Sequence, residues 1–132
     1  MVNIPDNVMA AFNDPKAVKV LTSVCPSGYP HSIVCGSIRA VAPDALIVGE
    51  ILMKSTAANL GKNSKAALMV NVGLTSYIVN VNAKQRVSEG PMLDAMNKEL
   101  AALNLKAAAV WVFEPISVYD QSASPAAGKK IA

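Results

Sequence analysis

Apolar positions along this chain follow two spacings, and the switches between them divide it into elements. Pro5 to Asn13 reads as a short helix, with proline in its first turn, Val8, Met9 and Phe12 at helical spacing, and a stop before Asp14-Pro15. From Ala17 to Val24 the spacing becomes alternate, with Val18, Val20, Thr22 and Val24 β-branched, which predicts a strand. Pro26-Ser27-Gly28 supplies a turn, and Pro30 to Val41 reads as a second strand returning antiparallel to the first. After Pro43-Asp44, Ala45 to Ile51 forms a third strand, apolar except at Gly49 and Glu50. Ser55 to Asn63 then turns helical through Ala57, Ala58 and Leu60, with Gly61 and Asn63 as stops.

The second half repeats the alternation. Lys65 to Val72 is an unbroken strand-like run, and Tyr77 to Val81 puts Tyr77, Val79 and Val81 on one face and Ile78 and Asn80 on the other. Ser88-Glu89-Gly90-Pro91 opens an amphipathic helix with Leu93, Met96, Leu100 and Leu103 on one stripe and Asp94, Asn97 and Lys98 opposite. Lys106 to Tyr119 is a last strand, and Pro115 inside it predicts a bend or an edge. Six strands with turn signals between neighbours and no strand–helix–strand repeat predict a mainly β domain. The expected form is a six-stranded antiparallel barrel with one short helix and one longer amphipathic helix. The domain runs from residue 1 to 121, and the small, polar segment 122–132 reads as a flexible tail.

Composition narrows this picture. A chain of 132 residues makes one domain. With 52% apolar and only 5% aromatic residues, its core must be built from valine, alanine, leucine and isoleucine. The mean hydropathy of +0.34 is high, yet the longest wholly apolar run, Ala107 to Phe113, is far too short to span a membrane. Such apolar excess points to a subunit interface, hence a homodimer. Net charge is +3, but the twelve basic residues are scattered and only Arg39 and Arg86 are arginine, which argues against nucleic acid and for a small anionic ligand. The opening MVNIPDNVM lacks a basic-then-apolar leader pattern, and Cys25 and Cys35 make no disulfide framework; they lie in apolar runs, where buried thiols are commoner than a single bridge, so a cytoplasmic location is expected.

Conventional catalytic groupings are missing. One histidine, His31, leaves no metal cluster and no second base. His31 and Cys35 share a strand face by parity but lie about 13 Å apart at the rise of a strand, too far for activation. Glu50, the only carboxylate inside an apolar strand, either hydrogen-bonds a ligand or faces solvent on an edge. No glycine-rich nucleotide fingerprint occurs. What remains is Lys54-Ser55-Thr56 at the start of the short helix. There the free backbone N–H groups and the dipole favour an anion, but Ser or Thr at a helix start is equally an ordinary cap.

The series LTSVCPSGYPHSIVCGSI, ALIVGE and MKSTAANLGKNSKAALMVNV resembles the FMN-binding split-barrel family related to pyridoxamine 5'-phosphate oxidase. The shared elements are the Gly28-Tyr29-Pro30 turn, the Lys54-Ser55-Thr56 cluster, Asn59-Leu60 and Asn63, in order from about Val18 to Val81. The resemblance implies a six-stranded split barrel, a homodimer with FMN in grooves at the interface, and electron or hydride transfer with no catalytic side chain. Lys54, Ser55 and Thr56 would hold the phosphate, and Asn59 would be a further cofactor-binding residue. Val34, Cys35, Gly36 and Ser37 would touch flavin or ribityl, and Val48, Gly49 and Glu50 would complete the groove. Glycines at 36 and 49 suit a flat ring approaching a strand. Two departures matter: Ser55 stands where the family has a basic residue beside the threonine, and two arginines are too few for the longer oxidases' phosphate sites. Alternatives from other classes are a substrate-specific flavin or deazaflavin oxidase or reductase, and a cofactor-free binding module on the same fold.

Overall fold

The computed structural model describes residues 2–132, which form an antiparallel sheet of eight strands with three α-helices. In chain order these are α1 (Asp6–Phe12), β1 (Val18–Val24), β2 (Pro30–Val34), β3 (Arg39–Ala42), β4 (Ala45–Gly49), α2 (Lys54–Lys62), β5 (Lys65–Val72), β6 (Thr75–Val87), α3 (Pro91–Leu100), β7 (Val110–Asp120) and β8 (Lys129–Lys130). A 3-10 turn, Ala101–Leu103, extends α3. Every predicted strand is present, and the count rises from six to eight for two reasons. The expected strand Pro30 to Val41 is broken at residues 35–38 into β2 and β3. The segment expected to be loose carries β8, which pairs with β7, and Ala132 accepts a backbone hydrogen bond from Val118 N–H.

The strand order β2-β1-β5-β6-β7-β4-β3 places two sequence neighbours, β2 and β3, at opposite ends of the sheet. Only residues 35–38 join them, and a chain spans at most about 3.6 Å per residue. The two edges must therefore approach each other, so the sheet rolls up without closing, and the seam of this split barrel is the 35–38 crossover.

Two apolar layers follow from the roll. Leu21, Leu68, Val79, Val81, Leu46, Val48 and Phe113 fill the interior, closed at its ends by Val8 and Phe12 of α1 and Leu60 of α2. On the outside of β4 and β7, Ile47 and Val110 meet Met96 and Leu100 of α3. Being covered on both faces, β4 is apolar without alternation, as its sequence showed. The Tyr77/Val79/Val81 face is buried as expected.

In β1 the β-branched positions mark the half-exposed face, while Lys19, Leu21 and Ser23 point inward. Pro115 produces the predicted irregularity: β6 pairs Val81 with Pro115 and Asn80 with Ser117, so Ile116 is the extra residue of a bulge. The stripe on α3 ends early, because the helix tightens after Leu100 and leaves Leu103 68% exposed.

Candidate functional site

The crossover is a turn built on backbone. Cys35 N–H still donates to Lys19 C=O at 2.8 Å, extending the β1–β2 pairing, and the chain then bends through Gly36 and Ser37 to Ile38. A Cβ placed on Gly36 would meet no atom within 4 Å, so this backbone faces open space. That space is a groove of about 270 Å³ lined by Val34, Cys35, Gly36 and Ser37 together with Ile51 and Arg39. Four of the expected ligand residues therefore share one wall, and the opposite wall is Leu100, Leu103 and Leu105.

The expected residues on β4 do something else. Val48 is fully buried in the barrel interior. Gly49 is small because α3 lies on it: an added Cβ would come within 3.3 Å of Met96 Sδ and 3.5 Å of Ala107 Cβ. Ser37 serves β4 as well, since its Oγ accepts from Gly49 N–H at 3.0 Å and lies 3.3 Å from Gly49 C=O, to which it donates. One hydroxyl continues the sheet where β3 has ended. Of the two glycines thought to admit a ring, only Gly36 is open.

Glu50 resolves neither as a free ligand nor as a solvated edge residue. Its carboxylate accepts two hydrogen bonds from Arg86, at 3.0 and 2.8 Å, and a third from Trp111 Nε1 at 2.9 Å. The Arg86 bonds hold the carboxyl below its usual range, against the opposing effect of burial and with help from the indole. Glu50 thus ties the chain leaving β4 to β6 and β7 just ahead of α2.

The start of α2 separates the Lys54-Ser55-Thr56 trio. The capping position is Met53, which has no side-chain hydrogen bond to the helix, and the first helical bond runs from Ala57 N–H to Met53 C=O. The ordinary-cap reading of Ser55 and Thr56 therefore fails, because both lie inside the first turn. Lys54 and Ser55 are exposed, whereas Thr56 is 1% exposed and its Oγ1 has no hydrogen-bond partner among the described residues. Asn59, one turn on, donates to Ser23 Oγ at 3.0 Å and sits 3.6 Å from Cys25 Sγ, so it fastens α2 to the end of β1. An uncapped helix start with a reserve hydroxyl suits a phosphate, and an open glycine wall suits a flat ring; at these two places the residues present fit FMN.

Two further residues carry charge at the seam and were not singled out from sequence. Lys19 is buried, and its ammonium donates to Phe12 C=O at 3.2 Å and Ile38 C=O at 2.8 Å, binding the end of α1 to the crossover. Burial, followed by the charge of Arg39, lowers its pKa to about 8, with Cys35 acting the other way. Arg39 Nη1 donates to Gly36 C=O at 2.9 Å and Ile38 C=O at 3.1 Å, while Nη2 lies 3.7 Å from Glu99 of α3. The available signal for Lys19 was its parity, which sets it opposite Val18 and Val20.

No family model matches the sequence, and no curated protein sequence matches it. Solved structures do match. An FMN-binding protein from Syntrophomonas wolfei subsp. wolfei superposes with a TM-score of 0.79 at 19% identity, over 88% of this chain and 84% of its own. HupZ from Group A Streptococcus gives 0.79 at 19% identity, over 95% and 99%. A protein related to general stress protein 26, of the pyridoxinephosphate oxidase family, from Clostridium acetobutylicum gives 0.71 at 9% identity, over 95% and 89%. These likenesses cover nearly all of each chain and meet the split barrel derived above from strand order. The chain therefore has the split-barrel fold of the pyridoxamine 5'-phosphate oxidase-like proteins.

Proposed function

We propose that this protein binds a flavin, FMN, and takes part in electron or hydride transfer as a homodimer in the cytoplasm. The observation that carries the reading is the start of α2, where uncapped backbone N–H groups stand beside the unpartnered hydroxyl of Thr56. Lys54 and Ser55, exposed on the same turn, add a positive charge and a donor for a phosphate. At the crossover, Gly36 offers bare backbone to a ring, and Leu100, Leu103 and Leu105 add apolar surface to the same groove. A bound flavin supplies the redox chemistry, so the protein needs only to hold, orient and shield. Ser37, Glu50 and Asn59 serve by rigidity: Ser37 and Glu50 have their side-chain oxygens committed to neighbouring elements, and Asn59 commits its amide nitrogen to Ser23. The apolar side chains left in water near the groove, Val34 at 76% exposure and Leu103 at 68%, support a partner subunit there.

Titration with FMN, followed by flavin fluorescence and visible absorbance, tests the reading. We expect micromolar binding and, for Thr56→Val, which keeps the volume and removes the hydroxyl, about a tenfold loss, the worth of one hydrogen bond to a charged group. A chain that takes up no flavin would end the proposal. A parallel titration with a deazaflavin decides between the two cofactors.

A further inference from the structure

A second groove lies on the other side of Arg39. It has a volume of about 420 Å³, larger than the crossover groove, and runs between α3 and the outer side of β3 and β4. Its walls are Val41 and Ile47 from the strands and Met92, Ala95 and Met96 from the helix. Ala95 on α3 is a small side chain and leaves a gap that the flexible Met92 and Met96 flank. Asn13, also at this groove, already exchanges hydrogen bonds with Ala40 N–H and C=O, at 3.0 and 2.9 Å, and is not free for a ligand. The polar end is Arg39 and Glu99. Arg39 lines both grooves, so they are neighbours separated by one side chain.

Charge decides what this groove suits. Nη1 makes both hydrogen bonds of the Arg39 guanidinium, while Nε and Nη2 make none among the described residues, and Glu99 stands off at 3.7 Å on an exposed side chain. One guanidinium with unused donors thus faces one loosely held carboxylate at the end of an otherwise apolar groove. We propose that the groove beneath α3 binds a small apolar molecule carrying one anionic group, with that group on Arg39 in place of Glu99. If the flavin reading holds, such a molecule lies next to the cofactor groove; that step rests on the flavin reading, and the binding itself does not.

The test uses two fluorescent probes with closely related ring systems, anilinonaphthalene sulfonate, an anion, and phenylnaphthylamine, which is neutral. The intact protein should favour the anion. Arg39→Met should weaken the anion about tenfold and leave the neutral probe within about twofold, the loss expected for one charge-assisted hydrogen bond. Glu99→Gln, which frees the guanidinium, should tighten the anion. Ala95→Trp, which fills the gap from an exposed helix position, should abolish both while leaving FMN titration unchanged. Equal affinity for the two probes in the intact protein, or anion binding unaffected by Ala95→Trp, overturns the proposal. Loss of FMN uptake in Ala95→Trp also overturns it, because the groove would then belong to the cofactor. Absence of FMN binding in the intact protein overturns the flavin reading alone.

Discussion

At the scale of single residues, Lys19 is the most unusual group in the chain. It lies among the buried positions of β1, has no carboxylate partner, and is satisfied by two backbone carbonyls. Phe12 C=O belongs to the last turn of α1, where the helix dipole favours a cation. With its pKa lowered from 10.5 to about 8, the folded chain gives up this proton before the unfolded chain does. Between those values the unfolded state binds more protons, so the Lys19 contribution to stability rises with pH across the window and is at its poorest below pH 8. Urea unfolding of the parent and of Lys19→Met at pH 7.5 and pH 10 should therefore show a difference that moves in favour of the parent as pH rises. A pH-independent difference would mean that the amine is not perturbed. Sequence reading passed over this lysine for a physical reason. β-Branched residues at 18, 20, 22 and 24 signal strand, but propensity does not say which face is inside, and here the less apolar face turned inward to hold the seam.

Among elements, the legible parts were those whose pattern reflects one local cause. Tyr77, Val79 and Val81 alternate because one side of β6 is buried, and Pro115, which has no N–H to donate, calls for a bend or an edge and here sits at a bulge. The break at residues 35–38 was not legible, because nothing in SIVCGSIRAVA distinguishes a strand from two strands on opposite edges of a rolled sheet. The same limit applied to the candidate site. The family resemblance placed Gly36 and Gly49 in equivalent roles, and only the packing of α3 shows that Gly49 is covered and Gly36 is open. The link from β4 to α2 holds the clearest local strain: Leu52 adopts a φ of +54° with its side chain 92% exposed. A leucine in this conformation costs about 1–2 kcal/mol relative to ordinary backbone, and glycine removes most of that at some cost in unfolded-state entropy. Leu52→Gly should raise the stability of the isolated chain by about 0.5–1 kcal/mol in urea unfolding, while Leu52→Ala should give no gain, since alanine keeps the same backbone penalty.

For the whole molecule, the outer surface of the rolled sheet carries an argument of its own. Register aligns Val20 of β1 with Met69 of β5, Met69 with Ile78 of β6, and Ile78 with Tyr119 of β7. All four are only half-buried in the single chain, so a mainly apolar row crosses four strands on the face away from the core. Register also aligns Val20 with Val34 of β2, so the row runs on to the exposed side chain at the crossover. The high mean hydropathy noted at the outset is thus accounted for by surface as well as core. A stable pair of subunits needs about 800 Å² covered on each partner, and a row of this kind, extended by its neighbours, is where we place that contact. Sedimentation at micromolar concentration should give a dimer, and Met69→Glu, which sets a charge in the middle of the row, should give a folded monomer. Comparing FMN titrations of the two forms then separates the contributions. If the cofactor lies between subunits, affinity falls with the dimer; if affinity is unchanged in the monomer, the crossover groove and the start of α2 suffice. A parent protein that sediments as a monomer would remove the interface assigned to this face.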